Sequence, residues 1–157
     1  QEKNVILPIS HIVADYLKAR GVRVTMTRRS DYFVSLRGRS ALANRLRADL
    51  FVSIHANAVG GNRSHVNGVE VYYYRNPALA QIIHRNILQS VSIYDRKVRR
   101  ARFYVLRASR MPASLVEVGF VTGNRDSIKL RNPNFRRQMA EAIARGILEY
   151  LSRYRRG

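Results

Sequence analysis

Leu50-Phe51-Val52-Ser53-Ile54-His55 is the stretch on which the reading of this chain turns. Four of its first five residues are apolar, and the run stops at a histidine. Aromatic and β-branched side chains suit a pleated strand. A run this short and this apolar reads as a buried strand of a parallel sheet. Asp49 stands before it, and the Asn-, Gly- and Ser-rich residues 57–67, with Gly60-Gly61, follow it as a loop with clear turn chemistry.

Upstream of this strand, Ser35 is placed to cap a helix over 35–47 whose Leu36, Leu42, Ala43 and Leu46 face inward. Residues 22–27 alternate apolar and polar and read as another strand. Before that, Val5, Ile9, Ile12, Val13, Tyr16 and Leu17 recur at helical spacing over 4–20, and Gly21 ends the helix. Downstream, 68–74 alternates as a strand, and Pro77 opens a helix with Leu79, Ile82, Ile83, Ile87 and Leu88 on its apolar face. The basic stretch 94–102 reads as a loop, 103–106 and 114–118 as strands, and 126–130 as a short helix. A last helix over 134–154 carries Phe135, Met139, Ile143, Ile147 and Leu151 on one stripe, which is a core stripe. Alternation of helices and strands predicts one α/β domain, a twisted and mostly parallel sheet of five to six strands between helix layers.

Composition narrows the chemistry. With 29 Lys plus Arg against 10 Asp plus Glu, the net charge is +19, which favours a polyanionic partner without naming it. Nucleic acid and an anionic cell wall both satisfy the charge. There is no cysteine, so disulfides, thiolate metal ligands and cysteine nucleophiles are excluded. No apolar run approaches the roughly 18 residues that span a membrane, and no signal peptide is visible. No G-x-S-x-G elbow, Walker motif or dinucleotide fingerprint occurs.

In an open α/β sheet, ligands gather at the carboxyl ends of the strands. His55 lies at such an end, and Glu117 interrupts the apolar strand around Leu115 and Val116. Two readings stand for each. His55 serves as a hydrogen-bonded strand-end histidine or as a metal ligand. Glu117 forms a salt bridge with one of the arginines, or takes a proton from an activated water. Glu2, at the head of the first helix, by itself reads as an acid complementing the helix dipole. His65, in the loop near His55, is a second-tier ligand candidate, whereas His11 and His84 read as surface or packing residues.

The run Asp49-Leu50-Phe51-Val52-Ser53-Ile54-His55-Ala56-Asn57-Ala58 closely resembles the hallmark of the bacterial N-acetylmuramoyl-L-alanine amidases. Thr27-Arg28 with Asp31, Leu36, Arg39 and Ala43-Asn44 resembles the stretch leading into it. Arg102 to Arg107, Met111-Pro112 and Leu115-Val116-Glu117-Val118-Gly119-Phe120 resemble the family's C-terminal block, and Glu2-Lys3 with Val5 and Leu7 the start of its first helix.

The resemblance implies hydrolysis of the amide between the lactyl group of N-acetylmuramic acid and the L-alanine of the peptidoglycan stem peptide. It implies a zinc ion held by two histidines and a glutamate. Glu2 matches the ligand glutamate, His55 the second histidine, and Glu117 the catalytic glutamate. The first zinc histidine and an opening strand are expected upstream of Gln1, so residues 1–157 read as the catalytic domain without that piece. An upstream wall-targeting domain and an exported, cell-envelope location belong to the same expectation. Residues 75–76 lead straight from a strand into Pro77, which leaves no room for the plugging helix that some relatives insert there. A degenerate, binding-only amidase is the alternative function. A nucleic-acid-binding role accounts for the charge but not for His55, Glu117 and the ordered blocks, so no nucleic acid is expected.

Overall fold

In chain order the elements are α1 (Glu2–Lys18), α2 (Leu36–Leu46), β1 (Phe51–Asn57), β2 (Val69–Tyr73), α3 (Ala78–Ser90), β3 (Asp95–Arg100), α4 (Tyr104–Ala108), β4 (Ala113–Phe120), α5 (Asp126–Arg131) and α6 (Pro133–Tyr154). They come from a computed structural model that describes residues 2–27 and 36–154, and of residues 2, 3 and 36–38 the backbone alone. Among the described residues the strands form one four-stranded sheet in the order β1-β4-β2-β3. β1 pairs with β4 and β2 with β3 in parallel, and β2 pairs with β4 antiparallel. The α/β class and the helix layers agree with the sequence. The strand count is lower than expected, and one of the three pairings is antiparallel.

Alternation sorts the side chains onto two faces. Val69, Val71, Val116 and Val118 are each 0% exposed and pack with Ile9, Ile83, Met139 and Ile143 in the main core, which α1, α3 and α6 cover. The opposite face has a smaller apolar cluster, where Val105 and Leu106 of α4 meet Leu115, Phe51, Tyr72 and Tyr74. That cluster sits toward the start of β4 and leaves the rest of this face for polar groups.

Five readings need correction. Residues 22–27 are not a strand. A strand needs a ladder partner, and a groove of about 820 Å³ lies between this segment and β1, lined by Val22, Val24, Leu46, Val52, Ile54 and others. Residues 95–100 are β3 rather than a loop. Their alternation is hidden because β3 is an edge strand made almost wholly of charged residues, the usual protection of a sheet edge. Residues 104–108 form α4 rather than a strand; four residues are too few for periodicity to separate the two. Leu46 is 51% exposed because it faces the groove, and β1 is only partly buried because it is the opposite edge. The cap at Ser35 and the segment Arg28 to Asp31 lie outside the described residues.

The other helices stand where periodicity puts them. After α1, Gly21 takes φ +83°, and Val22 N–H closes on Leu17 C=O at 3.1 Å. Residues 74–77 alone separate β2 from α3, with no helix inserted there.

Candidate active site

The polar face of the sheet carries a row of side chains in register. His55 on β1 pairs with Glu117 on β4, and Glu117 pairs with Glu70 on β2. Neighbouring strands lie about 4.8 Å apart, so these three residues are successive neighbours across the sheet. Sequence separation hid this: strand order, not chain order, brings positions 55, 117 and 70 together.

Each member is held in place. Ser53, two residues before His55 and therefore on the same face, puts its hydroxyl 2.8 Å from His55 Nε2 and so orients the ring. Glu117 is half-buried, and its Oε1 is shielded from solvent. Glu70 is 5% exposed and receives Asn57 Nδ2 at 3.3 Å, with Arg99 Nε at 3.3 Å and Arg96 Nε at 3.5 Å. Tyr72 also donates to Glu70; burial, then the Glu70 charge, push its phenol up to about 12, so it stays a neutral donor.

The loop after β1 is knitted to the turn after β4. Asn57 C=O accepts Val121 N–H at 2.8 Å, Thr122 Oγ1 accepts Val59 N–H at 3.1 Å, and Ser64 C=O accepts Asn124 N–H at 2.7 Å. Buried Asn67 accepts the N–H groups of Arg125 and Asp126 at 3.0 and 2.9 Å. Asp126, 1% exposed, accepts Gly68 N–H at 2.7 Å and Phe120 N–H at 2.8 Å. Gly119, at φ +147°, allows this clasp, since a Cβ there would stand 3.0 Å from Asp126 Oδ2. The register slips between His55 and Asn57 at the same level.

Of the sequence candidates, the fold brings His55 and Glu117 together. Glu2 heads α1, but its side chain lies outside the described residues. His65 is exposed in the loop and does not join the row. His84 bonds Asp95 at 2.8 Å, away from the row. Among the described residues, no three His, Cys, Asp or Glu side chains converge as a metal cage. Of the donors present, the oriented imidazole of His55 is of the kind that holds a catalytic zinc ion, and the shielded carboxylate of Glu117 beside it is of the kind that takes a proton from a metal-bound water. Sequence reading missed Glu70 and Tyr72. The available signal was the one that found Glu117: a carboxylate inside an apolar strand.

A histidine and a carboxylate side by side on the polar face of an α/β sheet are groups that hydrolytic chemistry can use. Residues 1–149 match the family described as N-acetylmuramoyl-L-alanine amidase, and the chain belongs to that family. Its fold superposes on N-acetylmuramoyl-L-alanine amidase AmiC2 of Nostoc punctiforme with TM-score 0.93 at 53% identity, over 96% of this chain and 84% of that one. It superposes on the catalytic domain of the amidase CwlV from Bacillus (Paenibacillus) polymyxa var. colistinus with TM-score 0.91 at 36% identity, over 97% and 86% of the two chains. It is 37% identical to N-acetylmuramoyl-L-alanine amidase LytC of Bacillus subtilis (strain 168) over 95% of this chain, which spans 31% of LytC. The chain is thus an amidase domain of the kind that hydrolyses peptidoglycan between N-acetylmuramic acid and L-alanine.

Proposed function

We propose that this domain cuts the amide bond with Glu117 as the proton-transfer group and a zinc ion held by His55, Glu2 and a histidine upstream of Gln1. The pairing of His55 with Glu117 across β1 and β4 is the observation that carries this reading. When bound, zinc would polarise the scissile carbonyl and acidify water. Glu117 takes a proton from the attacking water and returns it to the leaving amine of L-alanine. Tyr72 and Asn57 hold Glu70 as a hydrogen-bonded anion, so the row keeps its geometry while Glu117 changes protonation.

The groove beside β1 supports the upstream piece. It is lined by main-chain segments on both sides, 22–27 and 50–55, and it includes His55. A strand seated there would pair with the edge of β1 and set one of its residues about 4.8 Å from His55. The same strand would give residues 22–27 a ladder partner. Action on the wall implies export to the cell envelope, and the net charge of +19 suits a wall polymer rich in carboxylates. A wall-targeting domain upstream fits the 31% share of LytC that this domain spans.

The deciding experiment is mass spectrometry of purified peptidoglycan after digestion, with chelator and with zinc restored. Free stem peptides beginning at L-alanine are expected, lost with the chelator and regained with zinc. Digestion that persists in the chelator would overturn the metal assignment. Wall binding without release would leave the binding-only alternative.

A further inference from the structure

Beyond Glu117, the polar row continues into a pair of arginines that the hydrolytic chemistry does not use. Nε of Arg96 and of Arg99 on β3 lie 3.5 and 3.3 Å from the same carboxylate oxygen of Glu70, as ion pairs. One guanidinium suffices to neutralise one carboxylate, so the cluster carries a surplus positive charge. The next acid, Glu117, faces Glu70 across the β2–β4 register and stands one strand farther from β3 than Glu70 does. Asp95, at the head of β3, is held by His84 at 2.8 Å and Lys97 at 3.3 Å.

The two arginines differ. Arg96 is the more sheltered, 30% exposed, with its guanidinium over the Phe120 ring at 5.4 Å. Arg99 is 52% exposed. Its Nε also donates to Arg96 C=O at 3.0 Å, which holds the side chain by its inner end. Among the described residues no hydrogen bond to its Nη groups occurs, so the outer edge of the fork is available to a ligand. Arg99 pairs with Tyr72 in the β2–β3 register, and Tyr72 meets Phe103 edge to face at 5.0 Å. Phe103 is 41% exposed, so an apolar wall stands beside the charge.

Distance gives this cluster a meaning. β2 and β3 are one and two strands from β4, so the Arg99 fork lies on the order of 10 Å from Glu117. One or two extended peptide residues cover about 3.5–7 Å, and side chains at each end supply the rest. A planar fork with free donors is the usual partner of a carboxylate.

We propose that Arg99, braced by Arg96 and Glu70, binds a free carboxylate of the stem peptide just past the scissile amide, and so sets a preference for acidic over amidated stem peptides. This rests on the amidase reading above. Arg99 touches no reacting atom in this scheme; it fixes which peptide is held.

The test compares two soluble ligands, N-acetylmuramoyl-L-alanyl-D-glutamine, whose α-carboxylate is free, and the same compound with that α-carboxyl amidated, by NMR titration of the full chain, R99Q and R99K in chelator, which prevents their hydrolysis. The wild type is expected to bind the acid roughly tenfold tighter, the scale of one charge-assisted pair. R99Q is expected to bring the two affinities within about twofold of each other, and R99K to keep part of the difference. A merely structural role would weaken both ligands together and leave their ratio unchanged, which would overturn the proposal. So would equal wild-type affinities, or no binding of either ligand. Digestion of peptidoglycan by a wild type that shows no preference would sink this subsite alone. Absence of digestion would count against the hydrolytic mechanism and is read separately from the affinity ratio.

Discussion

Val116 and Glu117 are neighbours in β4 and lie on opposite faces of one sheet. Val116 is fully buried in the helix-covered core, on a face of β4 that is apolar apart from Ser114, whose hydroxyl donates to Tyr72 C=O at 3.1 Å. Glu117 looks the other way, toward His55 and Glu70. The first face is where burial stabilises the fold, at about 25 cal/mol per Å² of apolar surface. The second holds its polar groups by hydrogen bonds that cost desolvation and return little net stability. The difference teaches that the helix-covered face holds the molecule together while the other is kept rigid enough to bind and react.

Replacing Glu117 with Gln gives the largest expected effect. Hydrolysis should fall by about 10²–10⁴-fold, while the unfolding free energy stays within about 1 kcal/mol. Turnover and urea denaturation, measured on the same preparation, would break the comparison if the two losses travelled together. D126A strikes the clasp that aligns the end of the polar row. It leaves the buried N–H groups of Gly68 and Phe120 without their acceptor, at about 2–6 kcal/mol in unfolding free energy. A cost near zero by urea denaturation would mean that the clasp holds nothing.

V116A, one residue from Glu117, should do the reverse of E117Q. It removes two buried methyl groups and opens a cavity, costing about 2–3 kcal/mol while kcat measured well below the Tm stays close to wild type. A large fall in kcat would show that the two faces are coupled through β4.

The smallest effect concerns pH. Hydrogen bonds from Arg85 and Asn86 hold Glu149 of α6 at about 2, against an ordinary 4.5. A depressed carboxylate contributes stability that is complete above its unfolded value and lost as pH falls toward the folded one. Thermal melts should therefore drop between pH 4.5 and about 2, and E149Q should flatten that part of the fall. An unchanged slope in E149Q would assign the acid loss elsewhere.

How much was legible follows from the physics of each element. Helices α1, α3 and α6 announce themselves because a 3.6-residue period repeats over many turns. β3 does not, because an edge strand of Asp, Arg and Lys has no buried face to write a period with. Residues 22–27 have the composition of a strand without a partner among the described residues, and composition cannot supply one. His55 and Glu117 could be singled out as polar groups ending or interrupting apolar runs; Glu70 carried the same signal unheeded.

The sequence by itself determined the α/β class, the apolar stripes, the absence of thiol chemistry and the two residues, His55 and Glu117, that the proposal above puts at the centre of the chemistry. Those properties are local, fixed by side-chain type and spacing along the chain. Only the tertiary structure decided that β2 lies antiparallel beside β4, and hence that Glu70, Arg96 and Arg99 extend the row begun by His55 and Glu117. Strand order is set by how the helices close over the apolar face, through contacts between residues far apart in the chain, and no local pattern encodes it.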